Sequence, residues 1–266
     1  MNVMHKLTLA SLRKNRRRTV VTILGTAVAV AMVTAIAVLA ASFIEMSRTQ
    51  AILGSGNWHL KFSGIDKQAL PVLEAYDNYS DMDISLAEGF ALLPEREDYT
   101  RKAMAVTAYN KESYGKLPVT LLEGRLPEVP GELLLSEEFR DSAGLGWPTG
   151  GPVKLEYGHY AGSYIDENGT SHSIEIRSVN DAYTDDMWVS EGNRTFTIVG
   201  YAQLNYLGQG WQDSFTALTV FDPAATADGQ RDMTAWIRVK HPTTALYDDG
   251  VALCGKLKEL YGDYFG

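Results

Sequence analysis

Between Val20 and Phe43 the chain runs 24 residues, VVTILGTAVAVAMVTAIAVLAASF, without a charge, Pro, Asn or Gln. A helix rises about 1.5 Å per residue, so this stretch reaches roughly 36 Å, enough to cross a hydrocarbon core about 30 Å thick with some tilt. The h-region of a cleaved leader spans about 7–15 residues, so the length favours a retained anchor, although Ala37, Ala40 and Ala41 would suit a peptidase. Directly before the span stand Arg13, Lys14, Arg16, Arg17 and Arg18, and residues 1–19 hold six Lys or Arg and no Asp or Glu. The positive-inside rule places the N-terminus in the cytoplasm and residues 44–266 outside.

Two features of this region bear on partners. Val3, Leu7, Ala10 and Leu12, with Lys6, Arg13 and Lys14 around them, suit a short amphipathic helix on the inner membrane surface. A plain basic flank needs the same charges, so both readings stand. Within the span, Gly25 and Ala29 form a small-xxx-small pair, and Ala27, Ala31 and Ala35 form a second stripe at steps of four. Small residues let helices approach closely in lipid, which predicts partner helices.

Charge is segregated. The formal net charge is −9, residues 1–19 contribute +6, and the remainder therefore carries −15. An acidic outer region argues against nucleic-acid binding, which needs a basic footprint. One cysteine, Cys254, excludes an intrachain disulfide. Tyr247, Val251, Cys254, Leu257 and Tyr261 fall on one apolar helical stripe, which predicts a packed, inert thiol.

The periodicities predict an α+β chain. After the span a helix continues over Ser42–Leu53 and stops at Gly54 and Gly56. Alternation marks strands near Trp58–Phe62, Met82–Leu86 and Ala103–Tyr109, with His59 facing solvent and a helix over about 67–76 led by Asp66. Further strands are expected at Val119–Leu122, Glu132–Leu135, Val153–Tyr157, Thr195–Val199, Phe215–Phe221 and Ala235–Val239, with helices at Glu137–Ala143 and around Cys254. Asp166 to Gly169 reads as a turn. The expected division is a cytoplasmic segment (1–19), a membrane helix (20–43) and an outer domain (44–266). In that domain an α/β subdomain, 55–115 plus 232–266, is interrupted by an inserted β-rich lobe, 116–231.

Catalytic signatures are missing. The chain has no P-loop, H-E-x-x-H, C-x-x-C or G-x-S-x-G pattern. His5, His59, His159, His172 and His241 lack metal-ligand spacing. Asp181, Asp185, Asp186 and Glu191 lack the alternation of a Ca²⁺ loop and read as a solvated hairpin tip. The tripeptides at Asn78, Asn168 and Asn193 match a glycosylation pattern that matters only in a eukaryotic secretory setting. No metal, cofactor or catalytic residue is expected.

Several local patterns join into one resemblance. LRKNRRRTVVTILG entering the span resembles the N-terminus of FtsX-like permeases of ABC transporters. GNWHLKFSGI is similar to the strand opening their extracytoplasmic domain. LLEGRLPEVPGELLLSEEF is similar to the family's glycine-arginine-proline turn, matched at Gly124, Arg125, Pro127 and Glu132, and TFTIVGYA resembles the strand that follows. The resemblance spans about residues 5–262. It implies a MacB-like extracytoplasmic core in a bacterial plasma membrane, a separate ABC ATPase subunit on the cytoplasmic side, and an outer cargo or protein partner. Family permeases have at least four membrane helices and this chain has one, so the resemblance implies further helices, in a longer chain or a second permease copy. The function so implied is transmission of ATPase-driven motion, without enzymatic chemistry in this chain. A single-pass receptor or adaptor that binds an outer ligand without an ATPase is the alternative.

Overall fold

The computed structural model describes residues 14–94, 102–143, 146–165, 169–177, 185–204, 214–222, 226 and 232–261. Arg13, the amphipathic stretch 3–13, the turn residues 166–168 and Asp181 lie outside them. The chain divides into two units, Met1–Ala51 and Ile52–Gly266.

Helix α1 (Arg16–Ser55) runs 40 residues without a break, about 60 Å of helix. It is long and apolar enough to cross a membrane. Its large side chains are exposed, for example Leu39 and Phe43. Thr19, Thr22, Thr26 and Thr34 each donate their hydroxyl to the carbonyl four residues earlier. The hydroxyls are thereby satisfied within the helix, which hydrocarbon requires.

The second unit is built on β1 (Leu60–Ile65), α2 (Ala69–Glu74), β2 (Tyr79–Leu92), β3 (Ala103–Tyr109), β4 (Thr120–Gly124), β5 (Glu132–Ser136) and α3 (Glu137–Ala143). It continues with β6 (Pro152–Ile165), β7 (Ser171–Ile176), β8 (Trp188–Gln203), β9 (Ser214–Val220), β10 (Met233–Val239) and α4 (Leu246–Tyr261). The strands run β1-β10-β2-β3-β9-β5-β8-β6-β7, with β4 against β8. The β3–β9 and β5–β8 pairs are parallel.

One long strand joins two kinds of packing. The first part of β2 pairs with β10, with Ala235 opposite Ile84. Past a register break at Gly89 the same strand pairs with β6, Phe90 opposite Gly158 and Ala91 opposite Tyr157. That pairing closes a ring, β2-β3-β9-β5-β8-β6, a small barrel. Its interior holds Met104, Val106, Leu133, Leu135, Tyr157, Phe196, Ile198 and Phe215, all buried. Closure requires backbone to meet backbone. A Cβ on Gly158 would lie 2.1 Å from the Val189 carbonyl oxygen, and one on Gly89 would lie 2.6 Å from that of Gly158. Strands β2 and β3 serve both the ring and the β1-β10-β2 layer.

On that layer pack α2 and α4. Phe62, Ile65, Ala69, Leu73, Leu86, Ala235, Ile237, Leu253 and Leu257 form its core. Asp66 accepts a hydrogen bond from the Gln68 amide at 2.8 Å and from the Tyr261 hydroxyl at 2.6 Å, so it ties the turn that leads into α2, whose own N-cap Gln68 has no side-chain cap bond, to the end of α4. Tyr76 donates to Asp249 Oδ2 at 2.5 Å, a second tie between the two helices.

Two expectations need correction. Cys254 is exposed. The buried face of α4 is carried by Leu253 and Leu257, with Leu246 and Tyr261 beside it. Successive helical residues turn about 100°, so Leu253 points inward where Cys254 cannot. Tyr247 and Val251 are exposed too, because the stripe through them drifts off the buried face over three turns. His59 is half-buried rather than solvent-facing, and its Nδ1 accepts the Val239 amide at 3.3 Å.

Candidate functional site

The glycine-arginine-proline turn leaves β4 and enters β5. Gly124 has φ +78°, and a Cβ there would meet the Val199 carbonyl oxygen at 2.1 Å. Gly200 lies opposite it in β8, and a Cβ on Gly200 would meet the Glu123 oxygen at 2.5 Å. Two facing glycines therefore let the turn sit against β8, where the Arg125 amide donates to Val199 at 2.9 Å. The Arg125 guanidinium then forks onto Glu132, Nη1 to Oε2 at 2.8 Å and Nη2 to Oε1, while Nη1 also reaches the Leu126 carbonyl at 3.0 Å. The Glu128 amide donates to Glu132 Oε2 at 2.8 Å. Pro127 is buried beneath the loop. The hydrogen bond from Arg125 is the main cause that holds the Glu132 carboxyl down at about 2. All four residues matched to the family turn thus meet in one knot, and its bonds go inward.

A second cluster lies in the unit Ile52–Gly266, where the sequence showed only alternation. Arg238 donates to Asp81 Oδ1 at 2.5 Å and pairs with Asp83 Oδ2 at 2.7 Å. Lys116 donates to Asp81 Oδ2 at 2.6 Å, and Ser113 to Asp83 Oδ1 at 2.6 Å. Burial raises Asp81, but hydrogen bonds from Lys116 and Arg238 outweigh it and leave the carboxyl below its ordinary value. Arg238 Nη1 also reaches the Asn57 carbonyl at 3.4 Å, which links β10 to the segment between α1 and β1. Trp58 packs edge-to-face on Trp236 at 5.1 Å, and Lys61 Nζ sits 4.7 Å above the Trp236 ring. The register explains the grouping: Arg238 stands opposite Asp81 and Trp236 opposite Asp83. The signal was the Trp236, Arg238 and Asp81, Asp83 alternation, whose pairing no local pattern reveals.

The helix residues are placed differently. Gly25 and Ala29 share one side of α1, while Ala27, Ala31 and Ala35 lie on the far side, because a step of two residues turns the helix about 200°. All five are exposed, and nothing stands within 4 Å of a Cβ built at Gly25. Lys14, Arg16, Arg17 and Arg18 are exposed at the helix start. Among the described residues no three His, Cys, Asp or Glu converge as a metal site. Glu191 of the acidic stretch is instead engaged with Arg177 at 2.7 Å and with His159 Nδ1 at 2.8 Å.

No family model matches the chain, and no curated protein matches it. Among solved structures it is similar to the extracellular domain of the noncanonic ABC-type transporter YknZ from Gram-positive bacteria, at 10% identity and TM-score 0.44, over 77% of this chain and 87% of that one. It is also similar to the periplasmic region of MacB from Actinobacillus actinomycetemcomitans, at 11% identity and TM-score 0.42, over 80% and 84%. A domain of a permease protein from Porphyromonas gingivalis aligns at 14% identity and TM-score 0.40, over 76% and 72%. These are distant likenesses of outline.

Proposed function

We propose that this chain is the N-terminal part of an ABC transporter permease, anchored in a bacterial plasma membrane with residues 44–266 outside. It carries motion driven by a separate ATPase subunit to an outer domain that handles a peptide, a lipid-linked molecule or a protein. ATP hydrolysis belongs to the ATPase chain, and no covalent step is assigned to this one. The observation that carries the reading is the unbroken course of α1 from the basic flank to Ser55, followed within a few residues by β1. A helix transmits displacement along its axis, whereas a flexible linker absorbs it. The Arg238–Asn57 bond and the β1–β10 pairing give that displacement a rigid receiver.

The test is purification of the tagged full-length protein from its native membranes. A P-loop ATPase should accompany it, and a non-hydrolysable ATP analogue should change the rate at which Cys254 reacts with a thiol reagent. Purification without any ATPase, together with a labelling rate indifferent to nucleotide, would reject the reading.

A further inference from the structure

Strand β2 carries one residue more than its partner β3 can match. Ala87 stands opposite Thr107 and Gly89 opposite Val106, so Glu88 is the extra residue of a bulge. Gly89, at φ +139°, takes the backbone through the bend. The bulge marks the joint between the two packings of the unit Ile52–Gly266. Before it β2 pairs with β10, as far as Leu86 opposite Met233, and just past it Phe90 and Ala91 pair with β6.

A bulge re-aims its side chain, and this one sets a carboxylate among other charges. The Glu88 side chain is 18% exposed, and Arg194 of β8 stands beside it with Nη1 at 4.0 Å. Arg194 is shared, since its guanidinium lies 3.7 Å over the Tyr157 ring of β6 and Nη2 reaches Glu191 at 3.4 Å. Arg177, just after β7, is directed elsewhere. It bonds Glu191 at 2.7 Å, Glu175 at 2.9 Å and the Glu88 backbone carbonyl at 2.9 Å, with Asp232, ahead of β10, at 3.6 Å. His159 of β6 holds Glu191 at 2.8 Å. Burial pushes the Glu88 carboxyl up from its ordinary value, Arg194 opposes the rise, and Asp222, past β9, adds to it. Burial first and the Glu88 charge next push up the Tyr157 hydroxyl, and Tyr114, in the turn after β3, responds to burial, Tyr109 and then Glu88.

We propose that Glu88 is a proton-operated latch on the joint between the β1-β10-β2 layer and the barrel, loosened when its carboxylate is charged and tightened when it is protonated. A charge held out of water is disfavoured, and opening the joint hydrates it. The closed joint therefore binds the proton more tightly than the open one. Its stability is fully present at low pH and is lost as pH rises through the raised folded value. Under the outer placement proposed above, the pH sensed is that outside the cell. The latch itself depends neither on that placement nor on ATPase coupling.

The experiment is hydrogen exchange on the full chain in nanodiscs between pH 4 and 8, corrected for the intrinsic rate at each pH. Peptides covering Phe90–Ala91 and Tyr157–Gly158 report the joint, and peptides from α4 report the layer. Protection at the joint is expected to fall about threefold or more as pH rises, with a slope of at most about tenfold per pH unit, the limit for one proton. Glu88→Gln, which imitates the protonated form, should stay at the low-pH level throughout. Arg194→Gln removes a cation that favours the charged form and should move the change to higher pH. Joint protection indifferent to pH in the parent chain would overturn the proposal. So would an unaltered pH response in Glu88→Gln, because His159 and the other carboxylates remain in that chain. A response that Arg194→Gln leaves in place or moves to lower pH would also overturn it, as would an equal loss of protection in α4, which signals global unfolding.

Discussion

Glu132 accepts three hydrogen bonds within one turn, two from the Arg125 guanidinium and one from the Glu128 amide. Its folded value of about 2 lies below the unfolded value, about 4.3. The linkage sign follows. The carboxylate contributes stability above the unfolded value, and that contribution is lost as pH falls through the folded one. Glu132→Gln should therefore melt below the parent at pH 7, with the gap closing as pH drops toward 2, as read by tryptophan fluorescence in detergent. A gap independent of pH would show that the charge is not what matters. Gly124→Ala should cost about 1–3 kcal/mol in denaturant unfolding, since it combines a positive φ with a blocked approach to Val199. Arg125, Pro127 and Glu132 were legible in the sequence as a turn. Gly200 was not, because its role is set by a strand far along the chain.

At the scale of elements, α4 shows how periodicity can mislead. Of the stripe Tyr247, Val251, Cys254, Leu257 and Tyr261, only Leu257 and Tyr261 reach the face that packs, and Leu253, off the stripe, completes it. Leu253→Ala should destabilise the second unit by about 2–5 kcal/mol, whereas Cys254→Ser should be nearly neutral. Equal effects in urea unfolding would contradict the assignment of the faces. In α1 the two small-residue stripes lie on opposite sides, so one neighbour cannot use both. Gly25→Leu and Ala31→Leu keep the segment apolar and should still insert. If both sides are packed, each should independently reduce the yield of assembled complex, and Val30→Leu should reduce it less. Equal yields for all three would deny the stripes a packing role. The strands were legible in position but short in length. Strand β6 extends to Ile165 and β8 starts at Trp188, where Gly158, Gly162 and Gly192 interrupt the apolar alternation that marks a strand. Strand β7 went unseen, since Ser171, His172 and Ser173 carry no apolar pattern.

The whole molecule offers its own probe of topology. Cys254 is the chain's one thiol and it is exposed. A membrane-impermeant thiol reagent should label it in intact cells of the native host, and an Asn2→Cys, Cys254→Ser variant should stay unlabelled until the membrane is opened. The reverse pattern would invert the orientation. The same scale contains the β2–β6 closure, which turns a run of predicted strands into a ring.

What the sequence determined alone is what short-range physics controls. Twenty-four uncharged residues dictate a helix long enough to span lipid. Strand signals at Ala235–Val239 and at Met82–Leu86 dictate strands, and Glu137–Ala143 a helix. Only tertiary structure decided which strands meet. Pairing β1 with β10, or Gly89 with the backbone of Gly158, depends on backbone hydrogen bonds and close approach between segments distant in sequence, and such contacts leave no periodic trace in either segment. The same holds for Arg238. As a residue in a strand it is unremarked, and its place between Asp81 and Asp83 exists because the register of β10 on β2 puts it there.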